Sequence, residues 1–161
     1  MLSRRAIEIM VYRLVYTSKA ASELHDGDLR QILRSARANN APLDISGLLL
    51  FHERSFFQVL EGAEERVEAL FEKISKDMRH DYVKRLFAGE VPKRLFGDWS
   101  MAYCALTPEE QGRLVGKGSF FSLFEASDPD DETSARLSAF VVKMAQRMVA
   151  ASGDAAASKV A

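Results

Sequence analysis

Three observations predict an α+β domain. Apolar residues alternate with period two in five short stretches, they recur at helical spacing in two segments set between those stretches, and one polar turn joins two of the strands directly. The order that results is β-α-β-β-α-β-β. Right-handed crossovers place both helices on one face of the sheet. That is a ferredoxin-like arrangement, with a five-stranded mixed sheet.

The first strand covers residues 7–18. Ile7, Ile9, Val11, Arg13 and Val15 alternate with Met10, Tyr12, Leu14, Tyr16 and Ser18, and both sets are largely apolar, as in a central strand covered on two sides. A helix follows, capped by Asp26 or Asp28. Leu29, Ile32, Leu33 and Ala36 form its buried stripe, and Arg30, Arg34 and Arg37 lie off it. Asn39 and Asn40, followed by Pro42, end that helix. A hairpin comes next, with strands at 45–51 and 56–61 around a polar turn at 52–55. Beyond Gly62, Val67, Leu70, Phe71, Ile74 and Met78 supply the stripe of a second helix. The fourth strand covers 82–91. The fifth covers 99–106, after a loop holding Pro92 and Gly97.

Pro108, Gly112, Gly116 and Gly118 mark a connection to a smaller helical appendage. There Phe120, Phe121, Leu123 and Phe124 form an apolar cluster, the acidic run 128–132 breaks it off, and an amphipathic helix begins near Thr133. Leu137, Phe140, Val141, Met144 and Met148 share one side of that helix. Its expected partner is the sheet face that the first two helices leave bare. From about Ala151 the chain is small and polar, and a tail at 151–161 is expected to be disordered.

Composition limits the function. The chain has 161 residues, and its 22 basic side chains nearly cancel 23 acidic ones, so no strong field draws it to nucleic acid or an anionic membrane. A single cysteine, Cys104, excludes an internal disulfide framework and a cysteine zinc site. His25, His52 and His80 have no metal-ligand spacing, and no metal is expected. The glycines at 112, 116 and 118 do not open a helix after a strand, as a phosphate loop requires. No apolar run is long enough to cross a bilayer and no leader-type segment opens the chain, so the cytoplasm is the expected compartment. The pattern points away from an ordinary enzyme.

Gln58 is the odd residue. It lies among Phe56, Phe57, Val59 and Leu60. A buried amide without partners costs about 1–3 kcal/mol, so either its strand is an edge with the amide in water, or other side chains meet it. Tyr16 and Ser18 share one face at the end of the first strand. A strand tyrosine is commonly a core residue with a bonded hydroxyl, and Asn39 and Asn40 also fit as helix C-cap residues.

Taken together, several segments resemble the signature of BLUF domains, blue-light sensors that use FAD. They are Val15-Tyr16-Thr17-Ser18, Asn39-Asn40, Ile45-Ser46-Gly47-Leu48-Leu49, Phe56-Phe57-Gln58-Val59-Leu60-Glu61-Gly62, Asp77-Met78-Arg79-His80 and Trp99-Ser100-Met101. The resemblance implies a flavin-binding photosensor domain at 1–107, with the flavin between the two helices, and leaves 108–150 as the helical appendage. By that resemblance Tyr16 is the photochemical electron and proton donor, and Gln58 bridges Tyr16 and the flavin N5/O4 edge. Asn40 is implied at the C4 carbonyl and N3 edge, Asn39 at the neighbouring polar edge, and Asp77, Arg79 and His80 at the ribityl and phosphate part. Trp99 and Met101 are implied on a switch strand where they exchange places near Gln58, with Ser18 bonding near the glutamine or the tryptophan.

The resemblance is to short, stand-alone members of the family, so output is expected through a signalling partner rather than turnover, and self-association into a homo-oligomer is also expected. Two other classes compete with this reading. A flavin-free ferredoxin-like binding module would be colourless. A flavin oxidoreductase would turn over with reduced nicotinamide, although the sequence has no nicotinamide fingerprint.

Overall fold

A computed structural model of the protein describes residues 10–52, 54–104 and 131–154, without the side chains of 131–133 and 151–154. The elements are β1 (Val11–Ala20), α1 (Asp26–Asn40), a 3₁₀ turn (Ala41–Leu43), β2 (Ser46–His52), β3 (Ser55–Gly62), α2 (Glu64–Ser75), β4 (His80–Val91), β5 (Ala102–Cys104) and α3 (Asp131–Asp154). The strand order is β4-β1-β3-β2-β5. β1 is antiparallel to β3 and to β4, β2 is antiparallel to β3, and β2 is parallel to β5. The sheet is therefore mixed, as predicted. β1 and β2 run parallel with β3 between them, and β3 and β4 run parallel with β1 between them, so α1 and α2 are the two crossovers of a split βαβ pair.

Alternation along the strands builds two cores. Leu14, Tyr16, Leu49, Phe56 and Leu60 face α1 and α2, where Leu33 and Val67 join them. Val15, Leu48, Leu50, Phe57 and Val59 face the other way and meet Leu137, Phe140, Val141 and Met144 of α3. The Phe57 and Phe140 rings lie edge to face at 5.4 Å, a favoured aromatic geometry. The appendage helix thus covers the sheet face expected of it.

Several local expectations change. The cap of α1 is His25, whose backbone N–H donates to Asp28 Oδ2 at 2.9 Å, while Asp26 is already helical. Neither Asn39 nor Asn40 caps its C-terminus; Ala41 does, and Asp44 takes the left-handed conformation at φ 52°. Met78 is not part of the α2 stripe. The helix stops at Ser75, and Met78 is 91% exposed in the following turn. β2 and β3 pair as far as His52↔Ser55, which tightens the hairpin turn, and Arg54 within it adopts φ 68°. Among the described residues of the predicted fifth strand, β5 begins at Ala102 rather than Trp99 and runs through Cys104. α3 runs on through Asp154, into the stretch expected to lack structure; its alanines favour continued helix. Residues 7–9, 105–107, the connection and aromatic cluster at 108–130, and 155–161 lie outside the described residues.

Gly47 shows why the hairpin strands need a residue without a side chain. A Cβ there would stand 2.0 Å from the Val59 carbonyl oxygen.

Candidate functional site

β3 lies between β1 and β2, so Gln58 is on a central strand and is only 7% exposed. The edge-strand reading therefore fails, and partners meet the amide instead. The Tyr16 hydroxyl, directly across the β1–β3 pair, donates to Gln58 Oε1. Gln58 Nε2 in turn donates to Met101 Sδ at 3.4 Å. Tyr16 is 1% exposed, and burial raises the pKa of its phenol far above the ordinary value. The phenol is protonated throughout the physiological range and keeps its hydrogen to donate.

Above this chain of contacts, α1 and α2 stand apart and enclose a cavity of about 630 Å³, inside the roughly 300–1,000 Å³ range of small-molecule sites. Small side chains on both walls, Ala36 of α1 and Ala69 of α2, leave the gap. Ile32, Leu49, Phe56, Leu70 and Ile74 make its apolar lining, while Tyr16, Asn39, Asn40 and Gln58 bring the polar groups. Asp77, Arg79 and His80 border it from the α2–β4 turn. An apolar slot with amides at one side and charges at another fits a flavin nucleotide, whose ring system is flat and amide-like at one edge and whose tail is anionic.

Each predicted residue has a definite place. Asn40 is buried, and its Nδ2 donates to the Ser100 carbonyl at 3.0 Å; Asn39 is exposed on the same wall. Arg79 pairs with Asp77 at 2.6 Å, and that guanidinium holds the Asp77 carboxyl at about 2. Ser18 does not reach Gln58 or Trp99. Its Oγ lies 2.9 Å from His80 Nδ1, and the Phe56 ring packs against the imidazole at 4.9 Å. Burial lowers the His80 pKa, opposed by the charge of Asp77 and reinforced by that of Arg79. Met101 is 1% exposed in the core beneath α1 and α2, while Trp99 packs with the cluster under α3. Of that pair, Met101 is the one hydrogen-bonded to Gln58.

Two residues escaped the sequence reading. Arg37 lies off the apolar stripe of α1, yet its Nε donates to the Met101 carbonyl at 2.9 Å. Glu61 is fully buried and accepts from Arg13 Nε and Nη2 at 2.9 and 2.8 Å and from the Leu95 and Phe96 backbone N–H groups at 2.9 and 2.8 Å. A glutamate amid strand hydrophobics was the available signal. For Arg37 the sequence held none.

The fold and cavity define a small-molecule-binding α+β domain with a buried tyrosine–glutamine pair at the floor of its site. A family model described as sensors of blue-light using FAD matches residues 11–102. The chain belongs to this BLUF family, a family of blue-light photoreceptors that bind flavin. It is similar to the photoactivated adenylate cyclase subunit beta of Euglena gracilis, 38% identical over 91 residues, which are 55% of this chain and 11% of that protein. The blue light- and temperature-regulated antirepressor BluF of Escherichia coli (strain K12) is 33% identical over 106 residues, 66% of this chain and 26% of that protein. The chain thus spans a small part of these relatives. Among solved structures, BlsA in its photo-activated state matches with a TM-score of 0.71 and 33% identity, over 84% of this chain and 95% of that one. BlrB in its dark state matches with a TM-score of 0.66 and 27% identity, over 86% and 97%.

Among the described residues, no helix is long and apolar enough to cross a membrane, and no group of three or more His, Cys, Asp or Glu side chains converges as a metal site would require.

Proposed function

We propose that this chain senses blue light through FAD held between α1 and α2, and that the Tyr16–Gln58–Met101 contacts are its switch. The observation that carries the reading is the buried amide of Gln58, which borders the cavity and is held between a phenol and a thioether. A bound flavin supplies the blue-absorbing chromophore, which is a strong oxidant when excited. Tyr16 is the residue that would give an electron and then its hydroxyl proton to the excited ring and take both back as the ring relaxes, so no net oxidation results. Asn40, Asn39 and Gln58, which line the cavity, would hold the amide-like edge of the ring. Asp77, Arg79 and His80 would border the ribityl and phosphate end, and the family description supports FAD over FMN as the flavin.

The two orientations of the Gln58 amide are unequal. A thioether sulfur accepts a hydrogen bond and cannot donate one, so Met101 favours Nε2 on its own side and leaves Oε1 for the Tyr16 hydroxyl. Loss of the Tyr16 proton removes that donor and frees the amide to reverse or tautomerise. Met101 then loses its partner, and the segment 99–101, with Trp99 on the far side of the sheet, becomes free to move. Ser18, through its bond to His80, steadies the end of the site rather than the glutamine.

On this reading residues 1–107 are the photosensor and 108–150 the output appendage, acting on a signalling partner protein, with self-association of the chain as one form of assembly. A rearranged hydrogen bond is worth about 0.5–1.5 kcal/mol, and about 1.4 kcal/mol changes a partner's affinity tenfold. The deciding experiment is an absorption spectrum of the FAD-loaded chain before and after blue illumination. A red-shifted band that decays in darkness is expected. A bound flavin whose spectrum does not respond to light would end the proposal.

A further inference from the structure

Three consecutive carbonyls precede β5, and three different groups hold them. Trp99 O accepts from the Gly47 backbone N–H at 3.1 Å, Ser100 O from Asn40 Nδ2 at 3.0 Å, and Met101 O from Arg37 Nε at 2.9 Å. Only the first donor belongs to the sheet. The other two are side chains on the last turn of α1, three positions apart and so neighbours on one face of the helix. The β2–β5 ladder starts later, at Leu48↔Ala102. The segment that presents Met101 to Gln58 is therefore fastened mainly to α1, the helix that walls the cavity. Asn40 borders the cavity, but Arg37 does not, so Arg37 can act on the segment without touching a bound ligand.

We propose that Arg37 is a positioning residue. By holding the Met101 carbonyl, its Nε–H keeps Met101 Sδ against Gln58 and keeps Trp99 on the opposite face of the sheet. Without that bond the backbone at 100–101 retains only the Asn40 contact ahead of the ladder. The segment then gains access to arrangements in which Met101 withdraws and Trp99 leaves its packing under α3. Arg37 thereby ties the lifetime of the switched state to the end of α1; this last consequence rests on the photosensor reading, whereas the positioning itself does not.

The test uses Trp99, the one tryptophan of the chain, as a reporter. Arg37→Met carries a carbon where Nε stood and has no donor there. Arg37→Gln restores an N–H at the same number of bonds from Cα while removing the charge. In the full chain stripped of flavin, Arg37→Met is expected to shift Trp99 emission and raise its quenching by acrylamide, and Arg37→Gln to stay near the parent. With FAD bound, dark recovery is expected to change roughly tenfold in Arg37→Met, the scale of a charged hydrogen bond, and much less in Arg37→Gln. Unchanged Trp99 emission in Arg37→Met overturns the proposal, as does an equal change in both variants or an unaltered recovery rate in a chain that photocycles. If the parent itself shows no photocycle, the photosensor reading fails alone and Trp99 emission still decides the role of Arg37.

Discussion

Gln58 sits on a strand with neighbours on both sides, so water cannot satisfy its amide, and side chains from β1 and from the segment before β5 must do so. Tyr16→Phe removes the one hydroxyl that meets Oε1 while keeping the ring that packs against Phe71 at 5.3 Å. That variant is expected to bind flavin, to lose about 1 kcal/mol of stability in urea titration, and to show no light-induced red shift in its absorption spectrum. His80 adds a pH dependence. Burial lowers its pKa in the folded protein, so the unfolded chain binds the proton more tightly. Stability from this group is complete above the unfolded value near ~6.5 and is lost as pH falls from there through the lower folded pKa. Urea midpoints compared between pH 7.5 and 5 should therefore fall more in the parent than in His80→Gln, which has no imidazole to charge.

Between elements, two buried features hold β5 and the segment before it beside the site. Glu61, at the end of β3, gathers Arg13 from β1 and the Leu95 and Phe96 N–H groups from the β4–β5 connection. Glu61→Ala leaves Arg13 without its carboxylate and both amides without an acceptor, a loss of about 3–5 kcal/mol for a broken buried pair. Equilibrium denaturation would read it. Gly47 lies where β2 passes the Val59 carbonyl, and a methyl at 2.0 Å from that oxygen cannot be accommodated without parting the two strands. Gly47→Ala is expected to destabilise by more than about 3 kcal/mol and to weaken the Gly47–Trp99 hydrogen bond as well, which Trp99 emission would report.

In the whole molecule the sheet separates two cores with different tasks. One encloses the cavity beneath α1 and α2, and the other fastens α3 to the opposite face. Phe140 is 6% exposed in that second core, so Phe140→Ala should lower stability by about 3–5 kcal/mol and leave the spectrum of bound FAD unchanged, since none of the described α3 residues lines the cavity. A changed flavin spectrum in this variant would mean that the sheet does not insulate the site. Light-dependent binding of a partner that survived deletion of 120–150 would count against the appendage as the output surface.

Period-two and helical spacing, which are local, made the element order, the α1 stripe, the α2 stripe as far as Ile74 and the apolar face of α3 legible in the amino-acid chain alone. The motif segments did the same for the tyrosine, the glutamine and the paired asparagines. Strand order was not legible, because crossovers over intervening strands decide it; that order made β3 central, buried Gln58 and removed the edge-strand alternative. Only folding brought Arg37 to Met101 across 64 positions and Asn40 to Ser100 across 60. Contacts so far apart in sequence leave no periodic trace. Which of Met101 and Trp99 lay against the glutamine was therefore decided by tertiary packing, through carbonyls held by a distant helix.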